Sequence, residues 1–204
     1  MNIVFDFAGV LFRWDPIATL QTTIPQHAGD AATARQWAQR LFTGWAGDWG
    51  EFDRGRLDAA ALVQRTSRRT GMPAADVQAV VQAIPRALQP DAETVGLVKR
   101  LRQRGHRLLF LSNMPEPYAC HLERHHAIGD WFDDGLYSAR VDAIKPEPRI
   151  FELATLRFGG DARQIVFLDD MVVNVMAAQD AGWQALRFVD ALQAEQALSA
   201  LGVG

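Results

Sequence analysis

The stretch Met1-Asn-Ile-Val-Phe-Asp-Phe-Ala-Gly-Val-Leu-Phe12 organises the rest of the chain. Ile3, Val4 and Phe5 form a short apolar run with β-branched residues, which reads as a buried central strand. The run ends on Asp6, and Gly9 lets the chain turn sharply away three residues later. Open α/β sheets place their active sites at the C-terminal ends of their strands. A carboxylate there must be solvated, be paired, or do chemistry. On these residues alone, a strand-end turn with an ordinary Asp reads equally well.

Working outward, residues 15–86 contain no convincing strand and read as four helices over 15–23, 28–43, 57–70 and 74–84. Asp58 is placed to cap the third, and Gly71-Met-Pro73 separates the third from the fourth. Residues 44–55, rich in Gly and Trp, read as a loop. So long a helical run after a first strand exceeds an ordinary crossover and suggests an inserted lid or cap. From Pro90 a β/α rhythm resumes. Helices are expected over 91–104, 115–125, 146–158, 171–181 and 191–201, and strands over 107–111, 135–139, 164–168 and 184–188. Alternation of this kind implies a parallel, doubly wound, five-stranded Rossmann-like α/β sheet. The domain division is then a core of 1–13 and 87–204 and a four-helix cap of 14–86.

Composition narrows the classes. The 204 residues suit one α/β domain with a smaller insert. A hydrophobic fraction of 49% and a charged fraction of 22% are those of an ordinary soluble globule. A net charge of -3 leaves no footprint for nucleic acid or an anionic membrane. The single Cys120 permits no intrachain disulfide and points to a reducing compartment. With no signal-peptide pattern and no bilayer-length apolar stretch, a cytoplasmic protein is expected, as monomer or homodimer. His125-His126 lacks metal-ligand spacing and reads as surface helix.

Four polar signals fall at equivalent places. Asp6 ends the first strand, Ser112 the second, and Asp169-Asp170 the fourth, while Lys145 precedes a helix. Parallel strands bring these ends to one edge. Three carboxylates there would repel unless a cation sat among them. The set is rich in oxygen and lacks paired His or Cys, which favours a hard ion, Mg²⁺. Lys145, Ser112 and backbone N–H groups add the donors that a phosphoryl group needs. Each residue has an ordinary reading too. Lys145 alone is a surface lysine, Ser112-Asn113 and Asp169-Asp170 are helix caps, and Asn174, one turn beyond Asp170, either orients the metal site or, as its ordinary reading, faces solvent. The functional reading rests on their coincidence.

In order and surroundings, Phe5-Asp-Phe-Ala-Gly-Val10, Leu111-Ser-Asn113, Lys145-Pro-Glu147 and Phe167-Leu-Asp-Asp-Met171 resemble the four motifs of the haloacid dehalogenase superfamily of hydrolases. The helical insert resembles that superfamily's cap. Within it, the chain is similar to sugar-phosphate-type phosphatases near α-D-glucose-1-phosphate phosphatase and to the phosphatase domain of soluble epoxide hydrolase, which carry a phrase like Phe52-Asp-Arg-Gly-Arg-Leu57. The resemblance implies a phosphatase acting on a small-molecule phosphate ester. Asp6 would be the nucleophile that forms an aspartyl-phosphate. Lys145 would neutralise charge, and Ser112 and Asn113 would contact the phosphate. Asp6, the Ala8 backbone carbonyl, Asp169 and Asp170 would hold Mg²⁺.

One position departs from the pattern. Most phosphatases of the superfamily have a second aspartate two residues after the nucleophile, acting as general acid; here it is Ala8. Three consequences compete. The chain is a phosphatase whose substrate or cap supplies what is missing, with Asp48, Glu51, Asp53 and His27 as candidate cap groups. Or it is a 2-haloacid dehalogenase that uses Asp6 without metal, since halide needs no proton. Or it is a catalytically weak phosphate-binding scaffold or sensor. Trp45, Trp49 and Phe52 are placed to close over a ligand or to pack the cap.

Overall fold

The computed structural model describes residues 1–203. β1 (Asn2–Phe5) leads through a turn to the short β2 (Phe12–Arg13). Five helices follow: α1 (Pro16–Thr23), α2 (Ala31–Leu41), α3 (Asp48–Asp53), α4 (Ala59–Thr70) and α5 (Ala74–Ala87). The short β3 (Gln89–Pro90) then pairs antiparallel with β2, so the helical insert leaves and rejoins the sheet through a two-stranded stem. The remainder alternates as α6 (Ala92–Gln103), β4 (Arg107–Ser112), α7 (Glu116–His125), α8 (Ile128–Trp131), β5 (Asp134–Tyr137), α9 (Pro148–Phe158), β6 (Ile165–Asp169), α10 (Val172–Asp180), β7 (Gln184–Arg187) and α11 (Ala191–Ala200).

Five strands pair in parallel in the order β5-β4-β1-β6-β7, the doubly wound sheet that the alternation predicts. β1 lies at the centre, with Val4 opposite Leu109 on one side and Phe167 on the other. Ile3 and Phe5 enter one apolar core and Val4 the other; Val166 and Leu168 divide likewise from Ile165 and Phe167. Both faces of the sheet are covered, which is why these strands read as unbroken apolar runs. Because the strands are parallel, Asp6, Ser112 and Asp169 emerge on one edge.

Local chemistry sets the helix starts. Asp15, Asp30, Asp58, Asp91 and Asp190 each accept backbone N–H bonds from the first turn of their helices, an arrangement that contributes about 1 kcal/mol apiece. Some expectations change. Residues 44–55 are not a plain loop, since they contain α3, and the insert has five helices rather than four. Glycine is a poor helix former, and Gly47 and Gly50 hide this helix from a propensity reading. Pro146 stands in the loop before α9, and Pro148 takes the first-turn position. The stem strands and α8 are too short to carry a periodic signal. Among the described residues no helix is long and apolar enough to cross a membrane.

An aromatic cluster underlies the site edge. The Phe110 ring lies 4.7 Å from Phe7, 4.6 Å from Tyr137 and 5.6 Å from Phe132, centroid to centroid. Phe7 directly follows Asp6, so this cluster fixes the turn that carries the carboxylate. Phe110→Ala is expected to cost about 3–5 kcal/mol in urea unfolding; a loss under about 1 kcal/mol would show that the cluster does not anchor the turn.

Candidate active site

The Asp6 N–H donates to the Leu168 carbonyl at 2.9 Å and so extends the ladder past β1. Its Oδ1 accepts from the Phe7 N–H and from Lys145 Nζ, each at 2.7 Å. The same Nζ donates to Asp169 Oδ2 at 2.7 Å. The Lys145 side chain is 1% exposed, so one buried ammonium joins carboxylates from two neighbouring strand ends. Burial alone would depress the Lys145 ammonium, but Asp169 and Asp6 more than offset this and hold its pKa above the usual value. Burial pushes the Asp6 carboxyl up; Lys145 opposes this and Asp169 adds to it.

Two amides fix the ends of this bridge. Asn113 Oδ1 accepts from the Lys145 N–H at 2.8 Å, and its Nδ2 donates to the Lys145 carbonyl at 2.9 Å. Both polar atoms of Asn113 are therefore committed to the lysine's backbone, and its side chain positions Lys145 instead of reaching outward. Asn174 Nδ2 donates to both Asp169 oxygens, at 3.0 and 3.1 Å, and the Met171 N–H donates to Oδ1 at 2.8 Å. Asn174 is buried, which corrects the expectation that it faces solvent. The Ser112 Oγ, by contrast, is buried with no hydrogen-bond partner.

Carboxylate oxygens of Asp6, Asp169 and Asp170 lie within 4.8 Å of one another. A Cβ on Gly9, at φ +85°, would sit 2.7 Å from Asp170 Oδ2, so glycine is what allows the turn after β1 to approach this carboxylate. Burial and then Asp169 push the Asp170 carboxyl up, with Lys145 opposing. An all-oxygen set with clustered negative charge suits a hard divalent cation such as Mg²⁺. The Asp169 oxygens are taken up by Lys145, Asn174 and Met171. Asp6 and Asp170 keep carboxylate oxygens with fewer protein partners, and the Ala8 carbonyl accepts no backbone hydrogen bond.

A cavity of about 250 Å³ runs from Ala8 and Asn113 into the helical insert. Trp14, Phe42, Trp45, Ile84, Leu88 and Tyr118 line it, with Asp53 as a carboxylate in its wall. Of the aromatic trio in 44–55, Trp49 and Phe52 are buried packing residues and Trp45 is exposed. Of the four acid candidates in the insert, three are engaged elsewhere. Asp48 pairs with Arg69 at 2.9 Å, Glu51 with Arg54 and Arg56 at 3.4 Å, and His27 with Asp76 at 2.9 Å. Asp53 alone lines the cavity. Burial pushes its carboxyl up to about 7, with Lys145 and then Arg54 pulling it back.

A central-strand carboxylate bridged by a buried lysine to a second carboxylate, with a third beside a glycine turn, forms a charged cluster at the strand ends of an open α/β sheet, where such sheets carry their active sites. The chain belongs to the haloacid dehalogenase-like hydrolase family, whose model matches residues 1–182. It is similar to a sesquiterpene phosphatase, astK, of Aspergillus oryzae, at 27% identity over 93% of this chain and 90% of that one. Its fold matches a family enzyme of Bacteroides thetaiotaomicron in complex with magnesium and inorganic phosphate, at TM-score 0.72, 21% identity, and 91% and 92% coverage. It also matches L-2-haloacid dehalogenase of Xanthobacter autotrophicus with chloropropionic acid covalently bound, at TM-score 0.69, 19% identity, and 91% and 76% coverage.

Asn174→Ala removes two hydrogen bonds to a buried carboxylate and is expected to cost about 1.5–3 kcal/mol in urea unfolding; unchanged stability would show that Asp169 is satisfied without it. The Asp53 carboxyl has a folded-state pKa above its unfolded value of 3.8. Its burial is therefore without penalty at low pH, and stability is lost as pH rises from that value through about 7. Asp53→Asn should remove that loss, gaining on the order of 1 kcal/mol on wild type between pH 5 and pH 8. Parallel wild-type and variant stability curves across that range would refute the shift.

Proposed function

We propose that the chain is a Mg²⁺-dependent phosphatase that cleaves an apolar organic phosphate monoester through an aspartyl-phosphate on Asp6. The observation that carries this reading is the Lys145-bridged pair of carboxylates with Asp170 beside them, next to an apolar cavity whose wall includes Ala8, two residues past Asp6, and Asn113, the residue after Ser112. Asp6 Oδ1 is held by Lys145 and the Phe7 N–H, which leaves Oδ2 to attack phosphorus. Lys145 works against the burial that raises the Asp6 carboxyl, favouring its ionised form, and faces the charge of the phosphoryl oxygens. The partnerless Ser112 Oγ donates to one of those oxygens. Asp169, Asn174 and Asn113 hold the lysine in place. Asp6, Asp170 and the Ala8 carbonyl would hold Mg²⁺, which when bound would supply Lewis-acid neutralisation of the phosphoryl charge. Water then hydrolyses the acyl-phosphate and restores Asp6. Residues 14–86 serve as the cap that shields this chemistry.

The cavity supports an apolar leaving group over the sugar type suggested by the sequence resemblance. A sugar needs several free donors and acceptors. Tyr118 Oη already donates to the Val81 carbonyl at 2.7 Å, and both Asn113 amide atoms hold Lys145. The similarity to a sesquiterpene phosphatase points the same way.

The test is a panel of prenyl, alkyl and sugar phosphates assayed with Mg²⁺ and with EDTA. Mg²⁺-dependent phosphate release is expected, with prenyl or alkyl esters preferred by about tenfold or more, the discrimination a hydrophobic pocket commonly supplies. Asp6→Asn should abolish it. Metal-independent halide release from 2-haloacids, or phosphate binding with no turnover of any ester, would overturn the reading.

A further inference from the structure

Ala8 leaves the nucleophile turn without a proton donor, and a phosphate ester of an ordinary alcohol needs one. Asp53 shares the cavity wall with Ala8, and its carboxylate makes no hydrogen bond or ion pair with any described residue. It is not a loose surface group, because the segment around it is clamped to the sheet edge. The Asp53 carbonyl accepts from Ser138 Oγ at 2.6 Å, and that same Oγ accepts from the Met114 N–H at 2.8 Å. The next residue, Arg54, makes a two-pronged pair with Glu147, two residues beyond Lys145. Gly55, at φ +80°, passes so close to the core that a Cβ would lie 2.7 Å from the Ala139 carbonyl oxygen. Three successive residues of the insert thus dock beside the Lys145 loop and hold one unpartnered carboxyl over the cavity.

We propose that Asp53 is the general acid and base of this phosphatase, supplied from the insert in place of the carboxylate missing at Ala8. The inference rests on the phosphatase reading above. In the first step Asp6 Oδ2 forms a bond to phosphorus, the ester P–O bond breaks, and the Asp53 carboxyl gives its proton to the departing alkoxide. In the second, the Asp53 carboxylate takes a proton from water as the water oxygen bonds to phosphorus. The P–O bond to Asp6 breaks, releasing inorganic phosphate and returning Asp53 to its acid form. Burial raises the Asp53 carboxyl against the pull of Lys145 and then Arg54, which suits a group that alternates between both states near neutral pH.

The experiment compares wild type, Asp53→Asn and the double variant Ala8→Asp/Asp53→Asn on n-octyl phosphate and p-nitrophenyl phosphate with Mg²⁺. The octyl alcohol leaves only when protonated; p-nitrophenolate leaves without help. Asp53→Asn should lower kcat/KM for octyl phosphate by about a hundredfold or more, the scale of a lost general acid. With p-nitrophenyl phosphate it should keep a burst of about one nitrophenolate per enzyme, followed by slow turnover as the aspartyl-phosphate waits for its base. The double variant should recover octyl phosphate turnover. Equal losses on both substrates, with no burst, would assign Asp53 a structural role, and an unchanged octyl rate would remove it from the chemistry; either overturns the proposal. If Asp53→Asn does not fold, Asp53→Ser is read by the same criteria. A wild type that turns over neither ester defeats the phosphatase reading itself, whereas a wild type active on octyl phosphate with an equally active Asp53→Asn defeats this inference alone.

Discussion

A single buried ammonium sets the geometry of the site. Lys145 has almost no contact with solvent, and without its two carboxylate partners its burial would cost several kcal/mol. The converse also holds, since Asp6 and Asp169 at neighbouring strand ends would repel without the lysine. Each group is tolerable only because of the others, so their positions are fixed jointly. The charge count has a further meaning. With all three ionised, Asp6, Asp169 and Asp170 against Lys145 leave a net charge of about -2, a balance that suits a divalent cation.

The helical insert is tied into this balance. Glu147, immediately after the Lys145-Pro146 pair, is the partner of Arg54, so the loop that presents the lysine also receives the insert. Ser138 links the insert's Asp53 carbonyl to the Met114 backbone just past β4. A displacement of α3 would therefore be felt at the strand ends, and the apolar cavity between insert and sheet owes its shape to these contacts.

Much of this was legible in the sequence, for identifiable reasons. Strands buried on both faces are apolar throughout, so β1, β4 and β6 stood out. The residues that end or follow them (Asp6, Ser112, Asp169 and Asp170) were visible as polar atoms where an apolar run stopped. Other features carried no such signal. α3 is six residues long with a glycine inside and another as its cap, so neither periodicity nor propensity marked it. Asn174 read as solvent-facing because a lone amide on a helix usually is; only the fold shows Asp169 beneath it. The relation of Ser138 and Glu147 to the insert joins residues far apart in sequence, which no local pattern records. Among Asp48, Glu51, Asp53 and His27, spacing could not choose; the choice came from which of them already had a partner.

The order of the strands carries a consequence for how the site comes into being. β1 is first in sequence yet central in the sheet, and its hydrogen bonds go to β4 and β6, whose residues follow much later. Contacts of such long sequence separation form slowly, because the intervening chain must be closed before any pairing rewards it. Until Leu168 is in place the Asp6 N–H lacks its partner, and until Asp169 follows Lys145 lacks half of its counter-charge. The strand bearing Asp6 therefore gains its first sheet partner only with β4 and its second only with β6, while the contacts among the insert's own helices span shorter stretches of chain, which favours folding of the insert ahead of the sheet it covers.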